Sequence, residues 1–375
     1  MKKNPFVLTP YESKEYFCDR EQELSMLMDF VSNGRNVTLL SPRRMGKTGL
    51  IFRLFDEMST KQSDVQCIYL DIFATDSLES FVKVLASAVS SVFSQNTKIG
   101  RQFLDYLKHL RPLISYDPIS GVPQISVTYQ TENEKEQTLK GILDFIDSRG
   151  VKVLLAIDEF QQIREYKNVC FEALLRGYIQ MMKNTNFIFC GSKRKMMLDM
   201  FSNPRSPFYS STVIFPLDSV NKESYKSFIT ALFAKDSRTI DDDAVEYILD
   251  WTRLHTFYTQ SLCNMIYSEG SSHITMKEVD SAIAMILKLN EPIFFQYREL
   301  LTSGQWQYLE AVAKEGVITQ PTAGKFLMKY KIGTPANSRR LLSSLLDKEL
   351  ILSTTTQEGT SYRVYDVFME KWMGR

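Results

Sequence analysis

The sequence predicts an α/β domain built on a mainly parallel sheet, followed by a helical region and a small helix-turn-helix domain with a wing. Three observations give this prediction. Short apolar runs alternate with helical patterns up to Phe215, an order typical of a parallel sheet covered by helices. After Pro216 only amphipathic helical patterns follow, as in a helical subdomain. From Ser303, three short helices precede two polar-apolar strands, the order of a winged helix-turn-helix.

The predicted sheet strands are five apolar runs: "NVTLLS", "VQCIYLDIF", "VKVLLAIDEF", "NFIFCGS" and "STVIFPL". Apolar residues at three- and four-residue spacing predict helices over Lys47 to Met58, Leu78 to Phe93, Val169 to Asn184 and Lys193 to Phe201. Between the second and third runs lies a long insertion. Its segment "ISYDPISGVPQISVTYQ" predicts a hairpin, and we expect the insertion to be a surface excursion.

The predicted domain boundaries lie where the pattern of predicted strands and helices changes. Residues 1–216 would form the nucleotide-binding core with its N-terminal motif and hairpin insertion, residues 217–290 a helical lid, and residues 291–375 the winged-helix domain. The helical lid is predicted from "NKESYKSFITALFAK", "DDDAVEYILDWTRL", "FYTQSLCNMIYSEG" and "TMKEVDSAIAMILKL". The winged helix is predicted from "GQWQYLEAVAKEG", "QPTAGKFLMKYKI", "PANSRRLLSSLLDKELI" and "LSTTTQEGTSYRVYD".

Composition narrows the class of protein. The chain has 375 residues, 44% hydrophobic and 24% charged, which predicts a folded protein of more than one domain. A net charge of +1 gives no general excess for binding nucleic acid. Five scattered cysteines favour neither a disulfide framework nor a zinc site, and fit a cytoplasmic location. No apolar run reaches the length of a membrane span, so we expect no membrane partner.

The stretch "SPRRMGKT" predicts a phosphate-binding loop. A triphosphate needs several backbone N–H groups, a helix N-terminus, a lysine and a hydroxyl that binds magnesium. Gly46, Lys47 and Thr48 supply the tight bend, the cation and the hydroxyl. Ser41 stands where this P-loop pattern has its first glycine, and a small residue there can serve the same turn. A helix start with an exposed lysine is the alternative. The predicted cofactor-binding loop is Ser41, Pro42, Arg43, Arg44, Met45, Gly46, Lys47, Thr48 and Gly49.

A second motif supports the loop. The apolar run "VKVLLAIDEF" ends in Asp158 and Glu159, which predicts that Asp158 holds Mg²⁺ together with Thr48 and that Glu159 orients the attacking water. The alternative is a solvated strand end. If "NFIFCGS" lies between the two motif strands, Ser192 would be near the γ-phosphate and would sense hydrolysis, although a strand ending in Gly-Ser is often only a turn. The predicted catalytic residues are Glu159, Lys47 and Ser192.

These motifs together resemble the archaeal-type ATPases of the AAA-related STAND group, which also occur widely in bacteria. The resemblance covers nearly the whole chain and rests on "FCDREQELSML", "SPRRMGKT", "LLAIDEFQQI", "FCGSKRKMM" and "FPLDSV". It implies a P-loop NTPase sheet with an extra strand between the motif strands, a helical lid, a C-terminal winged helix, and ATP or ADP as the nucleotide. It also implies that Arg20 and Glu21 lie near the base and ribose, while an ordinary helix cap remains the alternative for this pair.

The predicted function is a slow, switch-like Mg²⁺-dependent ATPase whose nucleotide state moves the lid and the winged helix. The alternative is a DNA-binding or signalling regulator that holds ATP or ADP without turnover, and a small-molecule kinase ranks third. Relatives can carry Gly-Arg where this chain has Ser210 and Ser211, so an arginine acting on the phosphates would be Arg194, Arg205 or a residue of another subunit. The winged helix would contact DNA through Asn337, Ser338, Arg339 and Arg340, or else contact protein.

Overall fold

The structure is a computed structural model that describes residues 3–9, 11–61, 65–93, 98–109, 112–116, 123–127, 131–148, 150–167 and 170–375. It divides into two compact units. The first unit spans Thr9–Val220, and the second combines the N-terminal segment through Leu8 with Asn221–Arg375.

The first unit contains a five-stranded parallel sheet in the order β2-β5-β6-β1-β7. All five predicted strands are present, and β6 lies between β1 and β5, which confirms the predicted extra strand between the two motif strands. A separate antiparallel pair, β3 with β4, forms the predicted hairpin, whose turn lies outside the described residues. The strands of this unit are β1 (Val37–Leu40), β2 (Val65–Asp71), β3 (Pro112–Tyr116), β4 (Pro123–Val127), β5 (Lys152–Asp158), β6 (Thr185–Gly191) and β7 (Val213–Pro216).

Helices cover both faces of this sheet. They are α1 (Glu21–Ser32), α2 (Lys47–Lys61), α3 (Leu78–Val92), α4 (Lys98–His109), α5 (Glu132–Asp147), α6 (Phe171–Met181) and α7 (Arg194–Ser202). The helix predicted over Val169 to Asn184 is shorter than expected, and Val169 itself lies outside the described residues. Helix α6 ends early because the Asp147 carboxylate accepts the backbone N–H groups of Lys183 and Asn184, which turns the chain into β6.

Strand β5, which lies inside the sheet between β2 and β6, shows why the core is apolar on both faces of the sheet. Its side chains alternate between two buried clusters, with Leu155 and Ile157 in one and Leu154 and Ala156 in the other. This is the pattern expected when successive side chains point to opposite faces and helices cover both.

The described helices of the insertion between β2 and β5 do not form the surface excursion that we expected. Helices α4 and α5 within it bury apolar side chains in the larger cluster, including Phe103, Leu139, Ile142 and Ile146, each fully buried. The periodicity of α5 is helical, and its apolar face explains why this segment belongs to the core.

The second unit begins with helices and ends with a winged helix. Its helices are α8 (Lys222–Ala234), α9 (Asp242–Thr252), α10 (Thr256–Glu269), α11 (Met276–Leu300), α12 (Ser303–Glu315), α13 (Gly324–Lys329), α14 (Pro335–Asp347) and α15 (Val367–Met373). Its strands are β8 (Thr239–Ile240), β9 (His273–Ile274), β10 (Ile351–Thr356) and β11 (Gly359–Val364). Helix α11 runs without a break through residue 290, where the lid was predicted to end. The N-terminal segment packs here, with the rings of Phe6 and Phe233 4.9 Å apart.

The predicted winged helix is confirmed. Helices α12, α13 and α14 precede the antiparallel pair β10 and β11, and the turn between these strands is Gln357–Glu358. Helix α15 was not predicted. Asp366 caps its start by accepting the backbone N–H of Met369 at 2.9 Å. Within the described part of the chain, no helix combines the length and the apolar character needed to cross a bilayer.

Candidate functional site

The loop between β1 and α2 has the backbone that a phosphate cradle requires. Residues Arg44 and Gly46 both have left-handed backbone angles, with φ of 62° and 92°, so the chain turns sharply before α2 begins at Lys47. Glycine is the residue that adopts this conformation without strain. Of the predicted loop residues, Ser41, Met45 and Gly49 are buried, whereas Arg43, Arg44 and Pro42 are exposed or half-buried.

Lys47 is buried and its ammonium group is directed into the loop itself. Its Nζ donates to the carbonyl oxygens of Ser41 and Pro42, at 3.1 and 3.0 Å, and lies 3.3 Å from the Ser41 hydroxyl. Burial lowers the pKa of Lys47, and the negative charges of the nearby Asp158 and Glu159 partly oppose this lowering. Such a cation has only neutral partners in the loop, and anionic phosphate oxygens would replace them favourably.

Asp158, at the end of β5, joins the two sequence motifs. Its Oδ2 accepts a hydrogen bond from the Thr48 hydroxyl at 2.9 Å and another from the Tyr69 hydroxyl at 2.8 Å. Its Oδ1 accepts from the backbone N–H of Glu159 at 2.9 Å and from the Cys190 thiol at 3.1 Å. Four donors therefore fix the orientation of this carboxylate.

The Tyr69 and Cys190 side chains act as donors because they keep their protons. Burial, and then the charge of Asp158, raises the pKa of the Tyr69 hydroxyl and also that of the Cys190 thiol. Neither residue belonged to the predicted site. Both contact Asp158 from the neighbouring strands β2 and β6. The sequence analysis missed them because the sequence around each residue does not show which strands are neighbours.

Glu159 follows directly after β5 with a left-handed backbone, φ 55° and ψ 38°, and precedes a 3-10 helix over Phe160–Glu165. Its Oε2 accepts from the Ser192 hydroxyl at 2.7 Å and from the Ser192 backbone N–H at 3.3 Å. The structure thus brings together two predicted catalytic residues, Glu159 and Ser192, from adjacent strands. Gln161 also contacts this carboxylate, and the sequence prediction missed it.

The site offers ligands that suit magnesium. Thr48 supplies a hydroxyl oxygen and Asp158 a carboxylate oxygen, and Mg²⁺ prefers such hard oxygen ligands while keeping several waters. Among the described residues no group of three or more His, Cys, Asp and Glu side chains could hold a metal by itself. The donor set therefore fits an ion that is shared between protein, water and phosphate.

Two family models match the chain. The model of an ATPase domain predominantly from Archaea matches residues 17–253. The chain belongs to this ATPase family. A second model, described as "Probable winged helix domain", matches residues 292–375. No curated protein sequence gives a significant match.

Solved structures share the fold of this ATPase. The Walker-type ATPase of Pyrococcus abyssi is 16% identical, covers 98% of this chain and 99% of its own, and has a TM-score of 0.67. The Aeropyrum pernix ORC1 protein, solved in complex with DNA, is 14% identical, with coverage of 99% and 96% and a TM-score of 0.55. The Aeropyrum pernix ORC2 protein, solved with ADPNP and ADP, is 14% identical, with coverage of 100% and 99% and a TM-score of 0.50.

The N-terminal motif of this ATPase has a local structural task. The buried guanidinium of Arg20 donates to Glu23 Oε1 at 2.6 Å and to the backbone carbonyl of Asp218, so it ties the start of α1 to the segment after β7. Glu21 is exposed at the first position of α1. A role for Arg20 and Glu21 near the base and ribose stays a prediction.

The winged helix exposes only some of the four residues that the sequence predicted for contact with DNA. Arg339 and Arg340 are exposed on α14. Ser338 is fully buried, and its hydroxyl donates to the carbonyl of Pro321 at 2.6 Å. The Asn337 amide donates to the carbonyl of Ile332 at 2.9 Å. Ser338 therefore supports the packing of α14 and is unavailable to a partner.

Proposed function

We propose that this ATPase binds ATP with Mg²⁺ and hydrolyses the β-γ bond to give ADP and phosphate. The observation that carries the proposal is the 2.9 Å hydrogen bond between Thr48 and Asp158. It joins the first turn of α2 to the end of β5, so that the candidate phosphate-binding loop and the candidate catalytic carboxylates form one site.

Each residue of the loop has a chemical task in this proposal. The backbone N–H groups from Arg43 to Gly49, at the N-terminus of α2, would bind phosphate oxygens, and Lys47 would exchange its carbonyl partners for the β and γ oxygens. Thr48 and Asp158 would hold Mg²⁺. When bound, the metal neutralises phosphate charge and helps to orient the triphosphate.

Glu159 would act as the base that orients and deprotonates the attacking water. A carboxylate in this position serves hydrolysis, whereas a kinase transfers the phosphate to a substrate hydroxyl. The contact between Glu159 and Ser192 supports hydrolysis. The Ser192 hydroxyl and backbone N–H both donate to Oε2 of Glu159 and so fix the orientation of the proposed base.

We further propose a slow cycle that works as a switch, in which the nucleotide state changes the contacts made by the helical lid and the winged helix. Arg194 and Arg205 are both exposed in the first unit and are candidates for the arginine that completes the site, as is a residue from a second copy. Such an arginine can raise the rate by roughly 10³ to 10⁵, so turnover would stay slow until it reaches the phosphates.

We propose, from the family resemblance, that the protein belongs to the STAND group and, from its cysteines, that it acts in the cytoplasm. The five cysteines, Cys18, Cys67, Cys170, Cys190 and Cys263, are all free thiols, as expected in a reducing compartment.

The test is phosphate release from ATP, with and without Mg²⁺, by wild type and Glu159→Gln after calorimetry has shown that both bind ATP. Loss of a general base should lower kcat at least roughly 100-fold. Glu165→Gln is the matched control because Glu165 is exposed at the far end of the same 3-10 helix. Equal turnover in all three proteins would refute the role of Glu159.

A second candidate function is a DNA-binding or signalling regulator that holds ATP or ADP without turnover. The exposed pair Arg339 and Arg340 on α14 favours it, because the corresponding helix of a winged helix can enter the major groove. Nucleotide binding without phosphate release in wild type would favour this candidate over the first.

A further inference from the structure

Gln161 lies two residues after Glu159 and contacts the same carboxylate oxygen as Ser192. Its Nε2 donates to Glu159 Oε2 at 2.5 Å. This oxygen therefore accepts from three donors, the Gln161 amide and the hydroxyl and backbone N–H of Ser192. The hydrogen bonds described for the Glu159 side chain all reach Oε2, which leaves Oε1 available for water.

The position of the Gln161 amide depends on a glycine in the neighbouring strand. A Cβ atom added to Gly191, at the end of β6, would lie 2.0 Å from Oε1 of Gln161 and 2.9 Å from Sδ of Met197. A side chain at residue 191 would thus occupy the space of the amide. Gly191 allows Gln161 to lie against the end of β6, directly beside Ser192.

Stability alone gives no reason for an amide at this position. Gln161 is 3% exposed, and its Oε1 is buried with no hydrogen-bond partner in the described part of the chain. A buried acceptor without a partner costs free energy, and an apolar side chain of similar length would avoid that cost. The amide is therefore explained by its hydrogen bond to Glu159.

We propose that Gln161 is a positioning residue for Glu159. Together with Ser192 it fixes Oε2 between β5 and β6, so that Oε1 faces the attacking water. The inference rests on the proposed hydrolysis of ATP. In this proposal Gln161 acts through the orientation of the Glu159 carboxylate and has no contact of its own with nucleotide or metal.

The test compares Gln161→Met with Gln162→Met. The adjacent Gln162 is a matched control because its amide donates to the carbonyl of Thr75 at 3.0 Å, away from Glu159. We expect Gln161→Met to lower kcat about 10- to 100-fold, as misplacement of a catalytic group does, while the Kd for ATP and the melting temperature stay close to wild type. Gln162→Met should leave kcat unchanged.

A double variant separates positioning from general damage. If Gln161 acts only through Glu159, adding Gln161→Met to Glu159→Gln should change the residual kcat less than about two-fold. If Gln161→Met lowers kcat in the Glu159→Gln background as much as it does in the wild-type background, the proposal is overturned. An unchanged or increased kcat in Gln161→Met alone would also overturn it.

A structural measurement tests the role of Gln161 independently of whether the protein hydrolyses ATP. If wild type releases no phosphate, the proposed hydrolysis fails, and crystal structures of wild type and Gln161→Met with ADP decide the role of Gln161. We expect the Glu159 carboxylate to leave the Ser192 hydroxyl in the variant. A carboxylate that keeps its 2.7 Å contact with Ser192 would overturn the inference.

Discussion

The hydroxyl of Tyr69, on β2, donates a hydrogen bond of 2.8 Å to Oδ2 of Asp158 at the end of the neighbouring strand β5. The Tyr69 ring packs against Phe52 of α2 with ring centroids 4.8 Å apart, so the hydroxyl is held in place. The same Oδ2 accepts the Thr48 hydroxyl. Tyr69 therefore orients the carboxylate that is proposed to hold Mg²⁺, from a strand that carries neither motif.

We expect Tyr69→Phe to weaken Mg²⁺ binding while the fold is preserved. Loss of a hydrogen bond that orients a metal ligand typically lowers metal affinity about 10- to 100-fold. The measurement is the Mg²⁺ dependence of ADP binding, followed by calorimetry. Tyr166→Phe is the matched control, since the hydroxyl of buried Tyr166 bonds with Thr75 instead. An identical Mg²⁺ dependence in wild type and Tyr69→Phe would show that Asp158 needs no such support.

Lys47→Ala should remove most of the affinity for ATP. Charge-assisted hydrogen bonds are worth about 1.5–3 kcal/mol each, so loss of the lysine that contacts two phosphates should weaken binding roughly 100-fold. Lys61→Ala is the control, because Lys61 is exposed at the other end of α2 and pairs with Glu57. Calorimetry that returns the wild-type affinity for Lys47→Ala would refute the assignment of the loop.

The pH dependence of ATP binding should reflect the burial of Lys47. Because burial lowers the pKa of Lys47, the unbound protein loses this positive charge at a lower pH than an ordinary lysine, whose pKa is about 10.4. Only the protonated form binds phosphate strongly, so affinity should fall as pH rises through the alkaline range. Lys47→Ala should show no such fall, and a wild-type affinity that is constant up to about pH 10 would contradict the argument.

The sequence was sufficient to predict the five strands because apolar runs and their polar ends carry that information locally. For β6, the run "NFIFCGS" predicted the strand, whereas its place between the motif strands was implied by the family resemblance. The insertion was harder. Its helix α5 buries Leu139 and Ile142, and this burial depends on packing against α3 and the sheet, which no local pattern specifies.

The site was predictable only where a motif is continuous in the chain. Lys47, Thr48, Asp158 and Glu159 lie in two short motifs. Tyr69 and Cys190 are recognised only when β2, β5 and β6 are placed side by side, and Gln161 only when the turn after β5 brings its amide to Glu159. Ser338 shows the opposite error, because its sequence position suggested a surface contact and its hydroxyl instead lies inside the winged helix.

If the winged helix binds duplex DNA, Arg339→Ala combined with Arg340→Ala should weaken that binding and its salt dependence. Each lost phosphate contact lowers the slope of log K against log salt by about 1. The measurement is fluorescence anisotropy of a labelled duplex at several salt concentrations. Lys277→Ala with Lys288→Ala is the control, because it removes equal charge from exposed positions of α11. Equal slopes in both double variants would place any DNA contact elsewhere.

The second unit contains an ion pair between a half-buried arginine and a buried glutamate, and loss of this pair should lower the stability of the unit. The Arg253 guanidinium, after α9, bonds with Glu370 Oε1 on α15, and Glu370 is 5% exposed, with no hydrogen-bond partner for its Oε2 in the described part of the chain. Arg253→Met leaves this carboxylate buried and unpaired, which should lower the free energy of unfolding by about 3 kcal/mol.

The measurement for this pair is urea unfolding followed by tryptophan fluorescence, which reports on the second unit because Trp251, Trp306 and Trp372 all lie within it. Adding Glu370→Met to Arg253→Met should recover most of the loss, since the double variant no longer buries an unpaired charge. If the double variant is less stable than Arg253→Met alone, Glu370 stabilises the unit through contacts other than this pair, and the argument from its unpaired charge is wrong.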